Sequence, residues 1–381
     1  MKYYMLGLIF LGLFSLRAMG QETEPENLII DSIECSGNEN TDCEIIKKEI
    51  YLNPGDNINE DEIQNAKIRL QLLGLFKSVD LSLSKGSERG HVILKTEVKE
   101  ASPYFSETTI NRTVTFKGGH RNLFGLGKVL QLSFEPAQGV FDNYGSSAGS
   151  IEYIDPHLFG QKKYFFNSRL NYFKNENSDN YFGVINETTL DAHIGWRFFD
   201  FSYLTAGVYK SIYNVKSYDD STGLIEKKRE ERSGYKFNYG WDSEDDSYFP
   251  TDGSRFDLTY FKWNDRDDKG QLKTNFKKNW AWDAKNIFAV NLGYLLGLNQ
   301  YYYHDQKIGM EWNYQIRRGE TSRSITDLRF NLNAYITRSI SDSMFFSSFK
   351  TIETGLLFDT KDFGIIRLSL VRFYKIENGY L

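Results

Sequence analysis

Five histidines, two cysteines and many carboxylates are the residues of this chain that could do chemistry. The histidines are His91, His120, His157, His193 and His304. They are scattered, and no two stand at a metal-ligand spacing. Serine, histidine and aspartate are all present, but no nucleophile-elbow context holds them together. No glycine-rich phosphate loop appears. The two cysteines, Cys35 and Cys43, lie close together near the N-terminus. In an oxidising compartment they would pair as a disulfide; the alternative is two unpaired thiols. Either role is structural. The residues therefore predict no enzyme activity, no metal and no cofactor. If the protein acts, it acts through backbone and surface.

The elements around these residues have a strong bias. The chain has 381 residues, a formal net charge of −5, 29 Phe, 25 Tyr and only 6 Pro. An aromatic-rich, proline-poor chain favours β structure. It also suits a barrel with aromatic girdles, apolar outside and polar inside. The mild acidity gives no reason to expect nucleic acid as a partner. Residues 1–20 read as a signal peptide: Lys2, then "YYMLGLIFLGLFSL", then "AMG" before Gln21. That apolar run is too short to span a bilayer as a helix. An exported chain that enters a membrane must then do so as a barrel.

Residues 21–102 read as a small α+β domain. "NLIIDSIECSGN" is a strand stopped by a turn, and "TDCEIIKKEIYL" an amphipathic helix capped by Thr41 or Asp42. "NPGDNIN" is a turn. "NEDEIQNAKIRLQLLG" is a second helix, N-capped by Asn59, with Ile63, Ala66, Leu70 and Leu73 as its apolar stripe. Gly74 ends it in a left-handed cap. Two alternating strands follow, giving the order β-α-α-β-β. The segment resembles the POTRA (polypeptide-transport-associated) domain. The resemblance rests on Gly37-Asn38, on Gly55 and Asp56 in "LNPGD", on Leu70, Leu73, Gly74, Phe76 and Val79 in "LQLLGLFKSV", and on a last strand ending in Glu100. It implies a sheet edge open to an extended client chain.

Residues 103–381 read as a transmembrane antiparallel β-barrel. Strands of roughly ten residues alternate with turn signals. In "KVLQLSFE", Leu130, Leu132 and Phe134 oppose Gln131, Ser133 and Glu135. "SRFDLTYF" and "DLRFNLNAYI" alternate in the same way. Charged loops such as "KNENSDN" and "NDRDDKG" separate the strands. The expected number is even, about 12–16, with about 14 strands placed.

Three loop motifs refine this reading. They contain Asn122, Gly125 and Gly127 in "RNLFGLGK", and Asp155, Pro156 and Gly160 in "YIDPHLFG". The third, "WDSEDDSYFPTDG", contains Asp242, Asp245, Phe249, Pro250, Thr251 and Gly253. In this order after such a domain, they resemble the barrel of the outer-membrane assembly and two-partner-secretion superfamily, also called the bacterial surface antigen family. The resemblance implies an outer-membrane location in a Gram-negative-type cell, with the N-terminal domain in the periplasm. It implies unfolded outer-membrane or secreted proteins as clients, outer-membrane lipid as surroundings, and periplasmic or lipoprotein accessory subunits. The implied function is insertion or translocation of clients by strand pairing. The alternative is a structural or pore-forming barrel that has lost client handling. Family members also carry an inward-folded lid loop with a Val/Ile-Arg-Gly-aromatic tip. The nearest match is Ile316, Arg317, Arg318 and Gly319 in "QIRRGE", which has a second arginine and no aromatic. The barrel is also short for the family.

Overall fold

A computed structural model describes residues 28–110, 113–136, 146–175, 183–219, 224–245, 250–264, 270–297, 303–318, 325–341, 345–360 and 364–380. Residues 1–20, read as a signal peptide, lie outside these residues, as do Phe249 and Gly319.

The N-terminal domain comprises β1 (Leu28–Ser36), α1 (Cys43–Ile50), β2 (Asn57–Ile58), α2 (Glu60–Leu72), β3 (Phe76–Lys85) and β4 (His91–Glu100). Its sheet has the order β2-β1-β4-β3, with β1 and β4 parallel. The two-residue β2 is an addition to the expected order. Both helices start where side chains can accept orphan N–H groups. Asp42 accepts from Glu44 N at 2.9 Å, and Asn59 and Glu62 form a reciprocal capping box. Three acids in the first turn of α2 complement its dipole. Helix α2 ends at Gly74, whose φ of 67° is the expected left-handed stop. The helices pack on one sheet face around Ile30, Ile46, Ile50, Ala66, Leu70 and Leu94, all nearly inaccessible to water. Cys35 and Cys43 are bonded, which ties β1 to the start of α1.

The second unit is a closed barrel of fifteen strands. They are β5 (Tyr104–Ile110), β6 (Val114–Leu123), β7 (Lys128–Glu135), β8 (Ser146–Asp155), β9 (Tyr164–Asn175), β10 (Gly183–Arg197), β11 (Ser202–Asp219) and β12 (Leu224–Asp242). Then follow β13 (Gly253–Trp263), β14 (Gln271–Ala281), β15 (Asn286–Gly297), β16 (Tyr303–Arg318), β17 (Ile325–Ser341), β18 (Phe345–Thr360) and β19 (Gly364–Tyr380). Each strand pairs antiparallel with its sequence neighbour, but β19 closes on β5 in parallel. Among the described residues the count falls within the expected 12–16, and it is odd where an even number was expected. Every hairpin reverses the chain, so an odd count makes the first and last strands run the same way.

The expected alternation is present in the wall. Leu132, Phe134, Ile194, Val208, Phe237 and Met310 stand outward and exposed. Polar residues face a lumen and satisfy one another. Glu152 accepts from Gln131, Asn167 and Arg169 at 3.1, 2.9 and 2.6 Å. Lys236 donates to Asp191 at 2.8 Å. Arg255, Asp257 and Thr259 line a lumenal cavity of about 500 Å3. An apolar exterior around a hydrogen-bonded polar interior inverts the pattern of a water-soluble barrel and matches that of a lipid-facing one.

Candidate functional site: the domain junction and the barrel seam

The near end of the barrel, where β5 leaves the N-terminal domain, carries the turns β6–β7, β8–β9 and β10–β11. The helical layer of the N-terminal domain rests on these three turns. Arg69 on α2 is the central contact. Its Nε and Nη2 donate to the carbonyls of Glu49 and Ile50 at 2.7 and 2.6 Å. Those carbonyls belong to the last turn of α1 and have no partner within that helix. Its Nη1 donates to Asp200 in the β10–β11 turn at 2.8 Å, and Asn65 donates to the same carboxylate at 2.9 Å. One buried guanidinium thus caps α1 and fastens both helices to the barrel.

Glu49 makes the second contact. Its carboxylate meets His157 Nε2 at 2.8 Å and lies 3.6 Å from Arg197. Glu49 and His157 are both buried. Burial works against ionisation of Glu49, but the charge of Arg197, the His157 hydrogen bond and Arg69 outweigh it. The carboxyl is held below its usual range. Arg197 also donates to the Pro156 carbonyl at 2.9 Å, so it binds the barrel turn that presents His157.

The first two barrel motifs serve this junction. Asn122 is buried; its Nδ2 donates to Thr41 Oγ1 at 2.9 Å and its Oδ1 accepts from Gly127 N at 2.8 Å. Asp42 N donates to the Gly125 carbonyl at 3.0 Å. Gly125 has φ 73°, and a Cβ there would lie 2.6 Å from the Asn40 carbonyl oxygen. Gly127 packs against Ile45, Leu75 and Pro156. Asp155 accepts from His157 N at 3.1 Å and pairs with Lys128 at 3.1 Å, and Gly160 faces Lys48. The domain's own motif residues hold the opposite side. Asn38 donates to the Thr41 carbonyl at 3.0 Å, and Asp56 closes its turn on Asn53 N at 2.7 Å. Gly37 has φ 78°, with Val98 O where a Cβ would stand. Glu100 accepts from Thr41 N at 2.7 Å. Its slight burial is outweighed by hydrogen bonds from Thr41 and Asn40, which hold its carboxyl low. Leu70, Phe76 and Val79 are core, with Leu73 packed against it. The Gly74 carbonyl accepts from Arg121 at 2.8 Å, another bond from α2 to the barrel.

The third motif forms the β12–β13 turn. Asp245 accepts from Thr251 N at 2.7 Å and Asp252 N at 3.0 Å, and also bonds the Thr251 hydroxyl. Asp242 accepts from Glu244 N at 3.2 Å, and Gly253 has φ 105°. The Pro250 carbonyl accepts from Arg329 of β17 at 3.3 Å, so this turn is tied to a strand four places further round the barrel.

The residues expected at the lid tip lie in the wall as far as they are described. Ile316, Arg317 and Arg318 are the last residues of β16, at the near end, with Arg317 opposite Leu328 and Arg318 opposite Asp327.

Sequence reasoning missed Arg69, Asn65, Glu49, Arg197 and Asp200. One signal was visible: Arg69 falls beside Ala66, Leu70 and Leu73 on the apolar stripe of α2. His157 was hidden as a variable position within its own motif.

Two backbone edges remain open to a partner. Strand β3 is the outer strand of the N-terminal sheet. The seam between β19 and β5 is the weaker feature of the barrel. It is made only by Ile365, Ile366, Arg367 and Leu368 opposite Glu107, Thr108, Thr109 and Ile110. Every other neighbouring pair shares at least the six partners seen for β6 and β7. From Ser369 to Tyr380, β19 has partners on β18 alone.

Residues 28–101 match the model of the POTRA family, the surface antigen variable number repeat. The N-terminal unit is therefore a POTRA domain, and the chain as a whole is that domain followed by a closed β-barrel. Its particular fold is shared with solved structures. CdiB from Escherichia coli is similar over 93% of this chain and 74% of its own, with TM-score 0.63 and 9% identity. CdiB from Acinetobacter baumannii is similar over 92% and 74%, with TM-score 0.51 and 11% identity. BamA from Haemophilus ducreyi lacking POTRA domains 1–3 aligns over 93% and 83%, with TM-score 0.47 and 12% identity. At these identities the likeness to CdiB is one of fold.

Proposed function

We propose that this protein is an outer-membrane barrel that helps client polypeptides insert into, or cross, that membrane by strand pairing, without enzyme chemistry. The POTRA domain lies in the periplasm, and its β3 edge takes up extended clients through main-chain hydrogen bonds. Clients are unfolded outer-membrane or secreted proteins, with accessory subunits at the periplasmic face. The observation that carries the reading is the four-pair parallel seam. Opening a seam breaks its main-chain bonds, so the shortest seam opens first, and parallel pairing is slightly weaker per residue. An opened seam exposes two strand edges inside a bilayer, where an unpaired backbone is costly and an arriving strand is favoured. The docked POTRA domain holds its own edge at a fixed height below that seam.

The test is a seam lock. Cysteines replacing Thr109 and Arg367, register partners across the seam, would cross-link β5 to β19. In cells depleted of the native protein, the oxidised variant should fail to restore client levels in the outer membrane, and reduction should restore them. Loss of many barrels on depletion would identify an insertase; loss of one secreted protein would identify an exporter. Full rescue by the locked variant would defeat the seam route. A second reading, a pore that has lost client handling, is favoured by the placement of Ile316–Arg318 in the wall instead of a lid. It expects ion conductance and an unchanged outer-membrane proteome on depletion.

A further inference from the structure

Three near-end turns carry a phenylalanine in a backbone geometry that phenylalanine ordinarily avoids. Phe124 has φ 61°, Phe159 φ 56° and Phe199 φ 46°. Their relative exposures are 88%, 85% and 81%. Left-handed backbone brings Cβ against the following carbonyl, so Gly and Asn usually fill such positions. Two of the turns are copies of one another. Leu123-Phe124-Gly125 and Leu158-Phe159-Gly160 each place Phe and Gly together at positive φ. Each is closed by a bond of 3.1 Å from the next residue's N–H back to the leucine carbonyl. The sequence thus spends a large apolar ring, exposed, where a small polar residue would sit without strain. At these exposures the rings bury little against the rest of the chain.

The third turn shows where the rings belong. The Phe199 ring lies 5.3 Å from Phe198, which lies 5.2 Å from Trp196 and 6.2 Å from Tyr239. Tyr239 in turn lies 5.9 Å from Phe256. Trp196 shares the outward face of β10 with Ile194, part of the exposed apolar belt. The ring ladder therefore runs down the outer wall and past the strand end without a break.

We propose that Phe124, Phe159 and Phe199 contact lipid, seating their rings at the headgroup–acyl boundary of the near leaflet and fixing the height of the POTRA junction. Aromatic rings are favoured at that boundary. The inference rests on the outer-membrane reading above. It goes further in assigning the turn tips, which lie beyond the strands, to bilayer and not to client.

The test uses p-benzoylphenylalanine at 124, 159 or 199, one position at a time, so any variant that folds answers alone. Val208, mid-wall and outward, is the lipid control; Glu44, exposed on α1, is the water control. The full chain is irradiated in vesicles of phosphatidylethanolamine and phosphatidylglycerol. Lipid adducts at the three turns should match Val208 and exceed Glu44 several-fold. Yields at the Glu44 level with Val208 labelled would overturn the inference and leave the membrane reading intact. An unlabelled Val208 would overturn both. In cells, adducts to polypeptide without lipid adducts at these turns would make them a client surface instead.

Discussion

Arg69 and Asp200 form an ion pair of 2.8 Å across the boundary between the POTRA domain and the barrel. The two ends of this pair are unequal. The Arg69 side chain is 6% exposed and that of Asp200 46%. Arg69→Ala would also abandon the carbonyls of Glu49 and Ile50. It should cost about 3–5 kcal/mol, the range for breaking a buried charged network. Asp200→Asn keeps a hydrogen-bond acceptor and should cost about 1 kcal/mol or less. Denaturant unfolding of the POTRA domain in the detergent-solubilised full chain measures both; equal effects would contradict this account.

Glu49 makes docking sensitive to acid. Its carboxyl is held below the ordinary 4.5 in the docked state. A depressed pKa contributes stability that is fully present above the ordinary value and is lost as pH falls through the docked one. Hydrogen-exchange protection of α1 and α2 should therefore be flat above about pH 5 and decline below the ordinary pKa. Glu49→Gln should weaken protection at neutral pH and remove its own share of the acid response. A decline centred near neutral pH would contradict this assignment to Glu49.

Asn122 spans the junction with one amide. Asn122→Ala leaves Gly127 N and Thr41 Oγ1 short of a partner, at a cost of about 1–3 kcal/mol. Faster exchange should appear at Gly127 and at the start of α1 together. Exchange that rises in the barrel turn alone would show that the Thr41 bond contributes little.

The lumen is shaped by rings lying flat on glycines. A Cβ on Gly309 would stand 2.1 Å from the Tyr335 ring, and one on Gly240 would stand 2.1 Å from Tyr203. Lys307 lies 3.8 Å from the Tyr335 ring centroid. Gly309→Ala should push that ring into the cavity of about 190 Å3 lined by Lys307 and Tyr335. Single-channel conductance in planar bilayers should fall, and Tyr335→Ala should raise it. Overpacking of this kind costs about 1–3 kcal/mol. Unchanged conductance in both variants would mean that the path is limited elsewhere.

The local pattern carried much of the architecture. Alternation in "KVLQLSFE" set Leu132 outward and Gln131 inward, because side chains on a strand take opposite faces whatever the strand pairs with. Gly74 could be read as a helix stop, because a left-handed residue after an apolar stripe is a local requirement. Asn59 announced an N-cap in the same way. The family motifs located some of the junction residues, but not their use: Asn122 reads as a turn residue until Thr41 is placed beside it.

Other features required the whole chain. Arg69 was visible only as a charge on an apolar face; its partner Asp200 lies 131 residues away. The parity of the barrel depends on how its last strand meets its first, a pairing no local pattern encodes. "QIRRGE" resembled a lid tip until the register of β16 with β17 put Arg317 opposite Leu328. Sequence by itself determined which strand residues face out of and into the barrel and where α2 stops, because these follow from periods and caps a few residues long. Only the tertiary structure decided how POTRA and barrel are locked together and where the wall is weakest. Both depend on long-range contacts, whose partners are chosen by closure of the barrel and by burial at the junction.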